Sequence, residues 1–370
     1  MSSLATATSD AAPRPAAGRA AGRFAVLDAS NPADAATWLD RWRRWPGREV
    51  SALPAYARLF ARPCDRTVCL LGEDAGGTIL FPLLLRPLAA EPWAGPGEAR
   101  WDAISPYGYG GPFAWGTPGA DAFWRSHAEW CADARVVSTF VRLSLFPGHL
   151  APMPGGVEER APNIAIPLEG DAEALWKGYD TRVRKWIRVA EGSGLRVERD
   201  DVGARLDGFI AVYEHTMNRH EAGDWYYFPR ALFEALRDEL HGQYTFFHTL
   251  SGDQVVSSDL VLVSAAHVYY FLGGTLTDAF PLGPNYLLKH AVATWAQGLG
   301  KQRYVLGGGY QPGDGVYRYK RGWARHGEVP FRVARWTHDA GASAELLARR
   351  AAQAGASWAP AAGFFPAYRG

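Results

Sequence analysis

The stretch YTFFHTLSGDQVVSSDLVLVSAAHVYYFL, residues Tyr244–Leu272, decides the fold. It holds three runs rich in β-branched and aromatic residues, Tyr244–Leu250, Val255–Val263 and His267–Leu272, and the first turn carries Gly252-Asp253. Runs of this length and composition around a turn signal predict an antiparallel meander. Downstream, Pro284 opens a helix whose apolar stripe is Leu287, Leu288, Ala291, Val292, Trp295 and Leu299, a spacing of three to four residues. Tyr304–Leu306 then reads as a short strand, Gly307–Gly315 as a glycine-rich loop, and Phe331–Thr337 as a last strand before a terminal helix. Upstream, Leu175, Tyr179, Val183, Ile187 and Ala190 share one helical face that Gly192 and Gly194 end. A strand follows at Leu195–Arg199, then a helix marked by Leu206, Phe209, Ile210, Tyr213 and Met217, and another that Pro229 opens.

The first half reads as an abbreviated copy. Thr67–Gly72 and Thr78–Leu85 flank the Asp74-Ala75-Gly76-Gly77 turn, Ser105–Pro112 is a second glycine-rich loop, and a helix near Ala120–Cys131 leads to a strand at Val136–Leu145. Hairpins mixed with a βαβ step give an α/β (α+β) fold with mixed, mostly antiparallel sheets flanked by helices. We divide the chain into a disordered leader (residues 1–23), a degenerate N-terminal unit (24–150), a crossing linker with several prolines (151–170), a C-terminal unit (171–340), and a terminal helix and tail (341–370).

Composition narrows the function. Lys and Arg number 39 against 38 Asp and Glu, so no global charge steers the protein to nucleic acid and any basic site must be local. The 15 Trp residues point to a rigid core and aromatic-lined clefts. Cys64, Cys69 and Cys131 are odd in number and sit at no ligand spacing, against both a disulfide framework and a zinc site. His215, His220, His241, His248, His267 and His290 show no His-x-x-x-His or His-x-Glu pattern, so no metal is expected. No apolar run reaches the ~20 residues of a membrane span, and the Ala/Pro/Ser-rich Met1–Gly22 lacks the apolar centre of a signal peptide. The expected location is the cytoplasm.

Three stretches carry a family resemblance. They are Arg182-x-Arg184-Lys185 through Ala190-x-x-x-Gly194, then Tyr213-x-x-Thr216-Met217-x-Arg219 with the aromatic cluster Trp225–Phe228, then Leu306-Gly307-Gly308-Gly309 with Asp314-Gly315 and Tyr319-Lys320-Arg321-Gly322-Trp323. With the element order, they resemble the GNAT fold of N-acyltransferases, in the tandem form of the Fem family, which builds peptidoglycan cross-bridges from aminoacyl-tRNA, and of its relatives in natural-product pathways. The match is good over Asp171–His338 and architectural over Phe24–Leu145.

Acyl transfer to an amine needs a neutral amine, a polarised carbonyl and a positioned leaving group. No Ser-His-Asp or Cys-His motif is evident, so direct attack is expected. Lys320, beside Tyr319 and Trp323, is the candidate cation for the developing oxyanion or leaving oxygen, a role the resemblance also implies; a solvated surface lysine is the alternative. Asp314 is a candidate to orient the amine or take its proton, or else an ordinary Asp-Gly turn residue. Asp259 interrupts an apolar strand and needs a partner if it faces inward. Arg219 suits an anion, and the resemblance implies a phosphate of the acceptor. Tyr226 and Tyr227 are candidate walls of the acceptor cleft, and Tyr107 and Tyr109, with Asp102 before them, form a loop able to cap it.

The donor is read from two places. Coenzyme A enzymes of this fold carry Gln/Arg-x-x-Gly-x-Gly/Ala before the helix after the fourth strand; here Phe280–Asn285 offers one glycine and a proline without an N–H. Arg318, Lys320, Arg321, Arg325, Arg332 and Arg335 face a single acid, Glu328, and Arg182, Arg184, Lys185 and Arg188 form a second basic cluster. These patches favour a tRNA acceptor stem, with Arg184, Lys185, Arg318, Arg321 and Asn285 on the donor side. No tightly bound cofactor is expected, and the acceptor is a small-molecule or cell-wall-precursor amine. An acyl-CoA N-acyltransferase and a non-catalytic RNA or carrier-protein binding module are the alternatives.

Overall fold

A computed structural model describes residues 22–220, 223, 226–309, 311, 313–355 and 358–370. The expected leader, apart from its last residues, lies outside them, as does Trp225 of the aromatic cluster. The first unit runs β1 (Gly22–Asp28), α1 (Pro32–Arg44), α2 (Pro54–Leu59), β2 (Arg66–Asp74), β3 (Gly77–Pro87), β4 (Trp101–Ile104), β5 (Phe113–Gly116), α3 (Ala120–Asp133) and β6 (Val136–Arg142). After β7 (Val157–Pro167), the second runs α4 (Ala172–Gly178), α5 (Thr181–Glu191), β8 (Arg196–Asp200), α6 (Leu206–Arg219), α7 (Arg230–Glu239), β9 (Tyr244–Ser251), β10 (Gln254–Val263), β11 (His267–Thr275), α8 (Pro284–Gly298), β12 (Arg303–Gly307) and α9 (Gly315–Arg321). It closes with β13 (Glu328–Thr337) and α10 (Ala340–Ala354).

The meander forms as its sequence implies: β9 pairs β10 and β10 pairs β11, both antiparallel. The two units do not carry separate sheets. They share one 13-stranded sheet in the order β1-β2-β3-β4-β6-β13-β7-β12-β11-β10-β9-β8, with β5 on β3. Its pairings are antiparallel except β4 with β6 and β11 with β12. The expected linker supplies the central strand β7, which joins β13 on one side and β12 on the other. Prolines hide this strand in the sequence. Pro162 and Pro330 fall opposite each other where the β7–β13 register shifts, between the Asn163–Val329 and Arg160–Phe331 pairs, so neither removes a ladder hydrogen bond.

The helix expected over Leu175–Ala190 is two helices. Asp180 stops the first and caps the second, its carboxylate accepting from Val183 N at 2.8 Å. In α8 the buried face is Leu288, Lys289, Val292, Ala293 and Ala296, whereas Leu299 is exposed. The helix is therefore turned from its expected stripe, and a lysine lies inside. On one side of the C-terminal half of the sheet, Val183 and Ile187 of α5 and Leu288 and Val292 of α8 bury against Val261, Val268 and Tyr304. On the other, Phe209 and Tyr213 of α6 and Phe233 of α7 join a core that runs into Trp38, Trp42 and Tyr56 of the first unit. That shared apolar core locks the two units together.

Candidate active site

Strands β11 and β12 run side by side in parallel for three residue pairs only, His267–Arg303, Val268–Tyr304 and Tyr269–Val305. Beyond them β11 stays with β10 as far as Thr275, while the chain after β12 turns away at Gly307, whose φ of +80° suits glycine alone. The strands part, and a cavity of about 500 Å³ opens between them. Parting strands leave unpaired main-chain groups beside a space that side chains of other elements can reach, the setting a bound substrate needs.

Two lysines reach this cavity over one aromatic ring. Lys289 Nζ lies 3.7 Å, and Lys320 Nζ 5.8 Å, from the ring centroid of Tyr270 on β11, cation–π geometry. Lys289 is buried and donates at 2.5 Å to the equally buried Asp259 on β10. Asp259 thus has the partner an inward carboxylate requires. Burial pushes the Asp259 carboxyl up and the Lys289 ammonium down, each opposed by the charge of the other.

Lys320 is carried on the short helix α9, not on a turn. Its Nζ donates to Gly308 O at 2.6 Å. Burial, followed by the charge of Lys289, draws its pKa down from 10.5 to about 8, against the opposing pull of Asp314. A cation near its titration point at neutral pH can stabilise developing negative charge or exchange a proton. Asp314 itself caps α9, accepting from Tyr317 N at 2.7 Å and Gln311 N at 3.0 Å, so it acts on the site through the helix and its field.

Of the other residues singled out in the sequence, Arg219, Tyr226, Asn285 and Tyr107 line the same cavity. Arg219 donates to Thr275 O at 2.9 Å and lies 4.8 Å from the Phe280 ring; burial lowers its pKa. Among the described residues it has no carboxylate at ion-pair distance. Asn285 donates to Tyr319 OH at 3.1 Å. Tyr107 brings the first unit into the wall, held by Tyr56 OH, which donates to its carbonyl at 2.9 Å, and by edge contacts to Phe228 and Phe271.

Three candidates stand elsewhere. Tyr109 does not line the cavity; its hydroxyl lies behind Gly307 and accepts from Asn163 Nδ2 at 2.8 Å. Tyr227 is exposed and donates to Asn218. Asp102 is sealed in the first unit between Arg86, 2.6 Å away, and Arg369 of the C-terminal tail; it is a structural ion pair rather than a ligand group. Sequence reading missed Lys289 and Tyr270. The single signal for Lys289 was its place one helical turn beyond Asn285 on α8.

Arg184 and Lys185 are carried on α5, and Arg318 and Arg321 on α9. The first turn of α5 abuts the end of α9, where Asp180 N donates to Gly322 O at 2.8 Å. Among the described residues, Arg182, Arg184, Lys185, Arg188 and Arg318 make no ion pair, while Arg321 lies 3.4 Å from Glu328. At the N-terminus of α8, where this architecture would seat a pyrophosphate, Asn285 lines the cavity while Gly283 packs against Trp186. A side chain on Gly283 would begin 3.0 Å from the Trp186 ring, which stacks on Tyr286.

Residues 179–321 match the family model described as an acetyltransferase (GNAT) domain. Among solved structures, the chain is similar to FemX, with a TM-score of 0.61 and 12% identity over 81% of this chain and 95% of that one. It is similar also to the C-terminal domain of a putative lysylphosphatidylglycerol synthetase from Agrobacterium fabrum, with a TM-score of 0.51 and 13% identity over 84% and 94%. A conserved protein of unknown function from Bacteroides thetaiotaomicron shares the fold at a TM-score of 0.51 and 11% identity, over 77% and 89%. No curated protein matches the sequence. No helix among the described residues is long and apolar enough to cross a membrane.

Proposed function

We propose that this chain, with a GNAT domain in its second half and a Fem-like fold overall, is an N-acyltransferase that moves an aminoacyl group from tRNA to the amine of an anionic acceptor. The observation that carries the reading is the cavity between β11 and β12, where the half-buried Lys320 stands beside the buried Lys289 with its main-chain anchor on Gly308. In the reaction, the acceptor nitrogen adds to the ester carbonyl, a C–N bond forms, the C–O bond to the ribose breaks, and the amine proton leaves with the departing oxygen. The Lys320 ammonium supports the negative charge that develops on the carbonyl and then the leaving oxygen. Removing one such contact typically costs 10²–10³-fold in rate. Arg219 at the cavity wall binds the acceptor's anionic group, and Tyr107 and Tyr226 enclose it. The Asp259–Lys289 pair keeps the inner end of the cavity polar.

Two features favour aminoacyl-tRNA over coenzyme A as donor. Trp186 packs against Gly283 at the start of α8, and Pro284 there has no N–H, which weakens a pyrophosphate seat. The basic side chains of α5, which make no ion pair among the described residues, adjoin the helix that bears Lys320 and Arg318, so a phosphate backbone bound there lies beside the cavity. Both donors are tested together: purified protein is mixed with labelled aminoacyl-tRNAs, with acetyl-CoA, and with a panel of anionic amines. RNase-sensitive transfer is expected. Release of coenzyme A thiol with the tRNA arm silent would move the donor to an acyl thioester, and RNA binding without turnover on any arm would leave a binding module.

A further inference from the structure

Glu49, His149 and His267 come together at the seam between the two units. Glu49 precedes the 3-10 turn Val50–Ala52, His149 ends the 3-10 turn Pro147–His149, and His267 is the first residue of β11. One nitrogen of each ring and one carboxylate oxygen all lie within 4.8 Å of one another. Glu49 and His267 are 2% and 3% exposed. Glu49 Oε1, His149 Nδ1 and His267 Nδ1 are each buried without a hydrogen-bond partner. Three convergent orphans are costly, because each buried polar atom normally finds a partner.

We propose that these three side chains form a divalent transition-metal site, with zinc the best fit, that staples the first unit to the start of β11. A His₂Glu donor set is a zinc set with a fourth position left for water or solvent, and the quarter-exposed His149 side chain provides that opening. Tetrahedral ligands at zinc distances sit about 3.3–3.5 Å apart, and Glu49 Oε1 already stands 3.5 Å from His149 Nδ1. The outer shell is in place. Tyr269 OH donates at 2.8 Å to Glu49 Oε2, which aims the other oxygen. The His149 and His267 rings stack at 5.7 Å, with Phe146 against His267 and the Trp45 ring edge-on to His149. The main chain meets at the same place: Ala265 N donates to Arg48 O and Val50 N to Ser264 Oγ, both at 2.9 Å. A metal there fixes the entry of the strand that, three residues on, presents Tyr270 to the cavity.

A second donor group, His127, Cys131 and His338, is the internal control. Its thiol is already satisfied by His127 Nε2 at 3.6 Å, and His338 Nε2 is held by Thr139 at 2.9 Å. The test uses the full chain, stripped with chelator and titrated with Zn²⁺ and Co²⁺. One ion per chain and a raised melting temperature are expected, with a cobalt spectrum lacking thiolate charge transfer. Glu49→Gln and His267→Gln should each weaken binding by more than ~10²-fold, and Tyr269→Phe by ~10–100-fold, the usual outer-shell effect; His127→Gln should leave it unchanged. If the buried variants do not fold, the part-exposed His149→Gln must show the same loss. Absence of stoichiometric metal, a thiolate band, or binding that survives His267→Gln and disappears with Cys131→Ser would each overturn the assignment.

Discussion

Replacing Lys320 by Met should make the protein more stable and far less active. The ammonium is held in a setting that lowers its pKa from 10.5 to about 8, which corresponds to about 3 kcal/mol of destabilisation of the charged form. Met keeps the length and removes the charge. It also leaves Gly308 O without the donor now 2.6 Å away, a loss of about 1 kcal/mol, so the net gain at pH 7 is about 2 kcal/mol. The sign follows from linkage. Below about pH 8 both folded and unfolded chains carry the proton, and the full cost of the buried charge is present. Between about 8 and 10.5 the unfolded chain holds the proton that the folded chain has released, so the parent recovers stability as pH rises and the advantage of the variant shrinks. Urea denaturation of both proteins from pH 6.5 to 10.5 reads this directly. Single-turnover transfer at pH 7 should fall by ~10²-fold or more. Unchanged turnover would remove Lys320 from the chemistry. A variant less stable than the parent at pH 7, or an advantage flat with pH, would show that the ammonium is not strained.

Three further outcomes are expected. Arg219→Met should raise KM for an anionic acceptor by ~10–100-fold with kcat little changed, the size of one charge-assisted hydrogen bond; a neutral acceptor analogue should be indifferent to the change. Asp259→Asn leaves Lys289 buried without its carboxylate and should cost about 3–5 kcal/mol in denaturant unfolding, most of it restored in the apolar double variant Asp259→Leu/Lys289→Met. Arg369→Met removes one of two arginines from Asp102 and should cost about 2–3 kcal/mol, less than a lone pair because Arg86 remains, with transfer activity intact in the folded fraction.

The second unit was largely legible because its strands and helices follow the periods of their own local structure. Tyr244–Leu250, Val255–Val263 and His267–Leu272 became β9, β10 and β11 within a few residues at their ends. The failures have specific causes. Strand β7 is read as linker because Pro162 and Pro167 are strand breakers in general, and only the partner's Pro330 at the same register shift makes Pro162 tolerable. The orientation of α8 is misjudged because a lysine on the buried face contradicts amphipathic patterning, and Lys289 is admitted there only by Asp259, 30 residues earlier on another element. Asp102 is placed near the cleft because nothing local reveals that Arg369, 267 residues away in sequence, ends beside it. Local periodicity reports a residue's own element, whereas a buried charge is decided by what the topology sets opposite it.

The two units offer a comparison that explains why a wedge opens beyond the parallel strand pair of the second and not of the first. Each has a parallel strand pair at the same place in its plan, β4 with β6 and β11 with β12. In the first unit the gap beyond the pair is sewn shut. Ser105 N donates to Phe140 O, Gly110 N to Arg142 O and Ser144 N to Gly110 O, so the glycine-rich loop completes the ladder that the strands leave off. The tail covers the paired stretch itself, with Tyr368 OH hydrogen-bonded with Ser138 Oγ at 2.8 Å and Arg369 on Asp102. In the second unit no segment fills the corresponding wedge among the described residues. The groups that reach it include the cations Lys320, Lys289 and Arg219, the Tyr270 ring and the Asp259 carboxylate that pairs Lys289. Main-chain groups satisfied by a neighbouring loop have no affinity left for a ligand, whereas a wedge edged by held cations has strong affinity for an anionic or carbonyl-bearing one. The loop that closes the first wedge extends Tyr107 into the second. The first unit therefore contributes a wall to the site of the second.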